Sequence, residues 1–148
     1  MKTTTNAHLK QPVRELVITA DKVTNDVERL QCLPDIAERD CVALEHSIYD
    51  MLRILSVDYD GGSWHYYRLS NGGFYMAPQE LKAYRIRCDG NFFEGEVSAN
   101  TAGIIATAMA YSHLSFSPRG SRFAHAHELL SEFIFQHPDV RTIRAALD

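Results

Sequence analysis

The sequence predicts an α+β fold: a single compact domain in which an antiparallel β-sheet of aromatic hairpins packs with several α-helices. Three features carry that expectation. Apolar residues recur at three- and four-residue steps over residues 35 to 56, residues 63 to 98 read as strands around glycine-containing turns, and residues 99 to 116 form an alanine-rich apolar run. At 148 residues the chain is long enough for one core that buries about 68–70% of its unfolded surface without metals or disulfides. Residues 1 to 12, rich in Thr, Asn and Lys and closed by Pro12, read as a loose N-terminal segment, and residues 13 to 148 as one domain.

Taken in order, "ELVITADKV" (15 to 23) carries the β-branched residues of a short strand, and "TNDVERLQCL" (24 to 33) reads as a helix capped by Thr24 or Asn25 and ended by Pro34. Asp35 with Glu38 resembles a capping box opening an amphipathic helix to about residue 56, with Ala37, Cys41, Leu44, Ile48, Met51, Leu52 and Leu55 on one face. "DYDGG" (58 to 62) then stops it, Gly61 and Gly62 being turn residues. "SWHYYRL" and "GFYMA" are aromatic strands joined around Asn71, Gly72 and Gly73, residue types that supply the positive φ of a tight hairpin.

"AYRIRCDGNFFEGEVS" forms a second hairpin. With Gly90-Asn91 as its turn, Arg87 faces Glu94, Arg85 faces Glu96 and Tyr84 faces Val97, which puts the charges on the wet face and Tyr84, Ile86, Phe93 and Val97 toward the core. Ser98 is a natural N-cap for the next helix, where Ala102, Gly103, Ala106, Ala108 and Ala110 permit close approach to the sheet. After a loop at 117 to 122, Ala126, Leu129, Leu130, Phe133 and Ile134 mark a further amphipathic helix. His137-Pro138 stops it, and Val140, Ile143 and Leu147 line a last short one.

Composition excludes several classes. No apolar run is long enough to span a membrane, and the polar N-terminus lacks the apolar centre of a secretory signal. Cys32, Cys41 and Cys88 are an odd set, too far apart for a CxxC pair, which points to a reducing cytoplasm. Nineteen acidic and fifteen basic residues are mixed along the chain for a net charge of −4. Without a basic stripe, strong nonspecific DNA binding is not expected. Whole-surface imitation of DNA is not expected either: a domain of this length has a radius of gyration near 15 Å. Duplex of matching diameter, roughly 35–40 Å, carries on the order of 20 phosphates, so four net negatives are too few unless the fold segregates them.

The chain shows no catalytic constellation. "HAHE" (125 to 128) is not HExxH, since His125 and His127 on a helix lie about 200° apart and cannot share an ion. His113, on an otherwise apolar helix, reads as a buried, satisfied histidine. Ser63 lacks GxSxG context, the glycine pairs lack the spacing of a phosphate loop, and Asp58 with Asp60 reads as a solvated turn rather than an acid-base pair. No cofactor, no metal and no catalytic residue is expected. What remains is the aromatic stretch "GGSWHYYRLSNGGFYMAP" (61 to 78). Successive strand residues point to opposite faces, so Tyr66 and Tyr67 cannot share one buried side. If Trp64, Tyr66 and Phe74 face the core, then His65, Tyr67, Asn71 and Tyr75 form a candidate interaction surface. The reverse assignment is the alternative.

"DYDGGSWHYYRLSNGGFYMAP", "GNFFEGEVSANTAGIIATAMAYSHLSF" and "HELLSEFIFQHPDVRTIRAALD" together resemble the ArdB/KlcA antirestriction family over nearly the whole chain. "LSNGGFYMAP" is the most distinctive part, with "SANTAGI" and "SHLSF" at the expected distance after it. The resemblance implies a cytoplasmic, monomeric, non-enzymatic protein of mobile DNA. Such a protein relieves restriction of unmodified incoming DNA by type I restriction-modification systems, acting directly or indirectly on the restriction complex through protein contacts. A nucleic-acid-binding module using residues 63 to 76 is the alternative.

Overall fold

The alanine-rich run of residues 99–114 becomes the axis of the molecule. The computed structural model describes residues 16–148, so the expected loose segment at 1–12 lies outside the described residues. Among these, the order is β1 (Ala20–Lys22), α1 (Asp26–Ala37), a 3₁₀ turn (Glu38–Asp40), α2 (Cys41–Leu55), β2 (Trp64–Leu69), β3 (Phe74–Pro78), β4 (Tyr84–Cys88), β5 (Phe93–Val97), α3 (Ala99–Leu114), α4 (Ser121–Phe135) and α5 (Val140–Leu147). Strands β1, β2 and β3 form one antiparallel sheet in that order, and β4 with β5 a second, two-stranded one. The α+β expectation holds.

Helix α3 is apolar around its whole circumference, and such a helix is stable only when surrounded. Ser98 caps it by accepting the Thr101 N–H at 3.1 Å. From Ala99 to Tyr111 most of its side chains are buried, between β3, α2, α4 and α5. The close approach that the small residues promised occurs at Gly103. A β-carbon there would lie 2.3 Å from the Met76 carbonyl oxygen and 2.4 Å from the Ala77 Cα.

This contact also settles where the sheet's free edge goes. Among the described residues strand β3 bonds as a strand only to β2, leaving the backbone groups of Phe74 and Met76 without a strand partner there. Helix α3 takes them. The Tyr111 hydroxyl donates to the Phe74 carbonyl at 2.8 Å, and the Thr107 hydroxyl meets the Met76 N–H and C=O, each at 3.4 Å. A covered edge cannot pair with another chain.

The second hairpin has the expected register, Arg85 opposite Glu96, Arg87 opposite Glu94 and Tyr84 opposite Val97. Tyr84, Ile86, Cys88 and Val97 are buried, and Phe93 packs partly against the core. The cross-strand charges, however, do not pair with each other: Arg85 binds Asp58 and Arg87 lies 3.3 Å from Asp89. The left-handed residue of this turn is Phe92, with φ 60°, rather than Gly90.

Four local expectations need correction. Pro34 does not end α1 but lies inside its last turn on the exposed side, and the helix stops where Glu38 takes φ 46°. Asp35 and Glu38 therefore form no capping box. The apolar face instead runs through the break, from buried Ala37 past the 3₁₀ turn to Leu44, Ile48, Leu52 and Leu55, because one tight turn preserves the three- and four-residue steps. Of the proposed strand at 15–23, residue 15 lies outside the described residues, and among the rest only Ala20–Lys22 form a strand, against Leu69, Arg68 and Tyr67. His113 is exposed, because α3 emerges from its surroundings after Tyr111. Asn25 is the α1 cap, its side chain accepting from the Val27 and Glu28 N–H groups at 2.9 and 3.1 Å.

Candidate interaction surface at the aromatic hairpin

Strands β2 and β3 pair Trp64 with Pro78, Tyr66 with Met76, Tyr67 with Tyr75 and Arg68 with Phe74. Directly opposed residues share a face, so Trp64, Tyr66, Arg68, Phe74 and Met76 lie on one side and His65, Tyr67, Tyr75 and Ala77 on the other.

Helices α1 and α2 cover the first side. Trp64 is 3% exposed, its indole N–H donating to the Tyr59 hydroxyl at 3.2 Å and its ring tilted against Tyr49 at 5.3 Å. The Arg29 guanidinium sits 4.7 Å over the Tyr66 ring while donating to the Trp64 carbonyl, and the Tyr66 hydroxyl donates to Glu45 at 3.2 Å. Burial, reinforced by the Glu45 charge, pushes the Tyr66 phenol up to about 12, so it remains a donor throughout the physiological range. Arg68 closes this side through an ion pair with Asp35 at 2.9 Å.

The opposite side is covered as well. Tyr75 is 1% exposed, stacked on Tyr67 at 4.8 Å and 9° and on Phe133 of α4 at 5.8 Å, and Asn100 donates to its hydroxyl at 2.8 Å. The row continues at both ends, His65 meeting Tyr67 edge-on and His137 meeting Phe133 edge-on. Asn71 links the turn to α4, donating to the Leu129 carbonyl and to Glu132, each at 2.9 Å, and accepting the Gly73 N–H.

The candidate residues are thus not one open patch. His65, Tyr67 and Asn71 are half-buried, and Tyr75 is a core residue. The expected exposure of Tyr75 is wrong because strand alternation reveals two faces but not that helices occupy both. His65 is held below its usual value by burial and by the nearby Lys22 and Arg29, which leaves it neutral near pH 7. Of the turn glycines, Gly61, Gly62 and Gly72 have positive φ. Gly73 serves by its size instead: a β-carbon would come within 2.9 Å of Leu69 and 3.1 Å of Leu129. The residues that sequence reasoning missed are the coverings, Arg29 and Glu45 on one side and Phe133 on the other. Phe133 was readable as inward-facing, but nothing local named its target.

Among the described residues no group of three or more His, Cys, Asp or Glu is placed to hold a metal ion. His125 is exposed and His127 half-buried beside Ser131. The Asp58 carboxylate is occupied structurally. Arg85 donates to it from its backbone N–H at 2.8 Å and from two guanidinium nitrogens at 3.0 and 2.9 Å, and these bonds hold the carboxyl down at about 2, from an ordinary 3.8. A depressed carboxylate stabilises the fold above its unfolded pKa and loses that contribution as pH falls through the folded one. The thermal midpoint of the wild-type chain is therefore expected to drop between about pH 4 and pH 2. Asp58→Asn should lower the midpoint at pH 7 and flatten that segment of the acid profile, and an unchanged profile would refute the pairing.

A family model described as antirestriction protein matches residues 57–148. That span holds both hairpins and the three helices that cover or follow them. The chain belongs to the antirestriction protein family. Antirestriction protein KlcA of Escherichia coli is 39% identical over 136 residues, covering 88% of this chain and 95% of the relative. The putative antirestriction protein YubI of Escherichia coli strain K12 is 32% identical over 139 residues, 87% and 98% of the two chains. A solved structure from work on KlcA and ArdB superposes with a TM-score of 0.83 at 34% identity, covering 93% of this chain and all of the other. Those two proteins are described there as a novel fold with antirestriction activity against type I DNA restriction systems in vivo but not in vitro. The antirestriction fold thus accounts for the aromatic stretch chiefly as architecture, a hairpin gripped by helices on both faces.

Proposed function

We propose that this chain relieves restriction of unmodified incoming DNA by type I restriction-modification systems, through protein contacts rather than by catalysis or by imitating DNA. The observation that carries the reading is the structural likeness, over 93% of this chain, to a solved structure from work on KlcA and ArdB, whose activity is against type I systems in vivo. The surface chemistry supports it. Net charge is −4, and two of the three cations beside the aromatic hairpin are already committed, Arg29 to Tyr66 and Trp64 and Arg68 to Asp35, which leaves Lys22 opposite Tyr67. The lack of effect in vitro for the relatives fits a target that includes cellular components beyond the isolated enzyme, so the contact with the restriction complex is direct or goes through a step it needs.

The alternative, a nucleic-acid module at residues 63 to 76, needs ring faces open to bases. Trp64 and Tyr75 are buried and one face of Tyr67 is stacked on Tyr75, which weighs against it. The test is plating of unmodified phage on cells with an active type I system, with a type II host as control. Expression of the chain should raise plating on the type I host alone. Unchanged plating there would refute the reading.

A further inference from the structure

The tip of the β4–β5 hairpin carries a feature that the aromatic hairpin lacks: an aromatic ring fully offered to solvent on a rigid support. Phe92 is 92% exposed and has φ 60°, a backbone region that bulky side chains rarely adopt and that asparagine or glycine occupies far more easily. Its neighbour Asn91 holds the tip in place, donating to the Ala145 and Ala146 carbonyls at the end of α5 at 3.2 and 2.9 Å and accepting the Phe93 N–H at 2.9 Å. A large apolar side chain at that exposure adds little burial to the fold, and its combination with that backbone conformation is the kind of outlier that motivates a role in binding.

The surroundings fit such a role. Two shallow depressions adjoin at the tip, one beside Ile54 and Val57 and the other beside Phe92, and they share Arg87, Asp89 and Glu94. Ile54 and Val57 are 76% and 85% exposed. The charges between these apolar residues are unbalanced. Arg85 and Arg87 are engaged by Asp58 and Asp89, and among the described residues neither Glu94 nor Glu96, which stand opposite them on the exposed face of β5, forms an ion pair within 4 Å. The Glu94 carboxylate is thus left over beside a preorganised aromatic anchor, and Glu96 follows two residues further along the same exposed face of β5. Anchors of this kind, held before binding and ringed by polar groups, concentrate binding energy in protein interfaces.

We propose that the β4–β5 hairpin, with Phe92 as the anchor at its tip, Glu94 beside it and Glu96 further along the exposed face of β5, docks on a protein partner that presents an apolar pocket rimmed by Lys or Arg. Proteins that handle DNA carry such basic surfaces, which ties the partner's chemistry to the antirestriction reading on which this inference rests. The charge complementarity is local, two surplus negatives along one face of one hairpin, and does not require the whole molecule to resemble a duplex.

The experiment places a photo-crosslinking p-benzoylphenylalanine at position 92, and in a control chain at position 116, where Phe116 is similarly exposed at 88%. Both are expressed in cells that hold a type I system and irradiated, and adducts are mapped by mass spectrometry. An adduct specific to position 92, joined to a partner face that bears apolar residues flanked by Lys or Arg and lost in the Glu94→Lys, Glu96→Lys background, is the expected result. No adduct at 92, the same adduct at 116, or an adduct indifferent to the charge reversals overturns the proposal. In parallel, Phe92→Asn should keep or raise the thermal midpoint, since asparagine suits the backbone, while abolishing relief of restriction. Wild-type relief retained by Phe92→Asn also overturns it. Should the wild-type chain itself give no relief, the antirestriction reading fails, and the crosslinks still decide the docking surface.

Discussion

A Gly103→Val chain is expected to lose most of its folding free energy, and Gly103→Ala a substantial part of it. At this position α3 rests on the backbone of β3, where a β-carbon would overlap the Met76 carbonyl oxygen at 2.3 Å and the Ala77 Cα at 2.4 Å. Neither is the far end of a side chain that can swing away, so the helix must retreat. Retreat loosens the bonds of Tyr111 and Thr107 to the β3 edge, groups that are buried and have no water to turn to. Overpacking alone costs about 1–3 kcal/mol and more where the backbone is displaced. Better helix propensity returns only about 1 kcal/mol for alanine over glycine. Against a total stability of about 5–15 kcal/mol, the valine chain should be largely unfolded or retain only a small margin. Urea titration would show this as a strongly lowered midpoint, and a midpoint equal to wild type would mean that the helix does not touch the strand as described.

Tyr75→Ala should destabilise the protein by about 3–5 kcal/mol, the range for deleting a buried aromatic ring. The ring holds the middle of the row from Tyr67 to Phe133 and so ties the sheet to α4. Tyr75→Phe keeps that packing and gives up one hydrogen bond from Asn100, so its cost should be about 1 kcal/mol. The pair of variants separates structure from contact. With relief of restriction, the proposed activity, as the readout, a core role predicts that Tyr75→Phe matches wild type and that Tyr75→Ala fails in proportion to its loss of folded protein. A stable Tyr75→Ala chain without activity would restore Tyr75 to an interaction surface.

Much of this fold was readable from local pattern because local pattern caused it. The β4–β5 register followed from alternation and one turn position, and α3 followed from a cap and a run of small apolar residues. Gly103 announced a close approach, although not its partner strand. The break between α1 and α2 was hidden because Glu38 carries it through a backbone conformation that its residue type does not advertise, while the apolar spacing on either side stays in phase. The candidate surface was half legible. Alternation divided the hairpin's rings correctly into two faces, yet whether a face meets water depends on distant helices, and Arg29 and Phe133 carry no mark that points to residues 64 to 75. Phe92 was hidden for the opposite reason: an apolar residue at a turn reads as part of a strand, and only its φ and exposure show it standing clear of the core.

That the aromatic hairpin is an internal scaffold, with the chain acting through protein contacts, is tested most directly by titrating the purified chain against labelled single-stranded and branched DNA at low salt. Fluorescence anisotropy should stay flat to micromolar protein and beyond. Saturable binding at micromolar protein that falls with Tyr67→Ala in a still-folded chain would contradict it and make the hairpin a nucleic-acid platform.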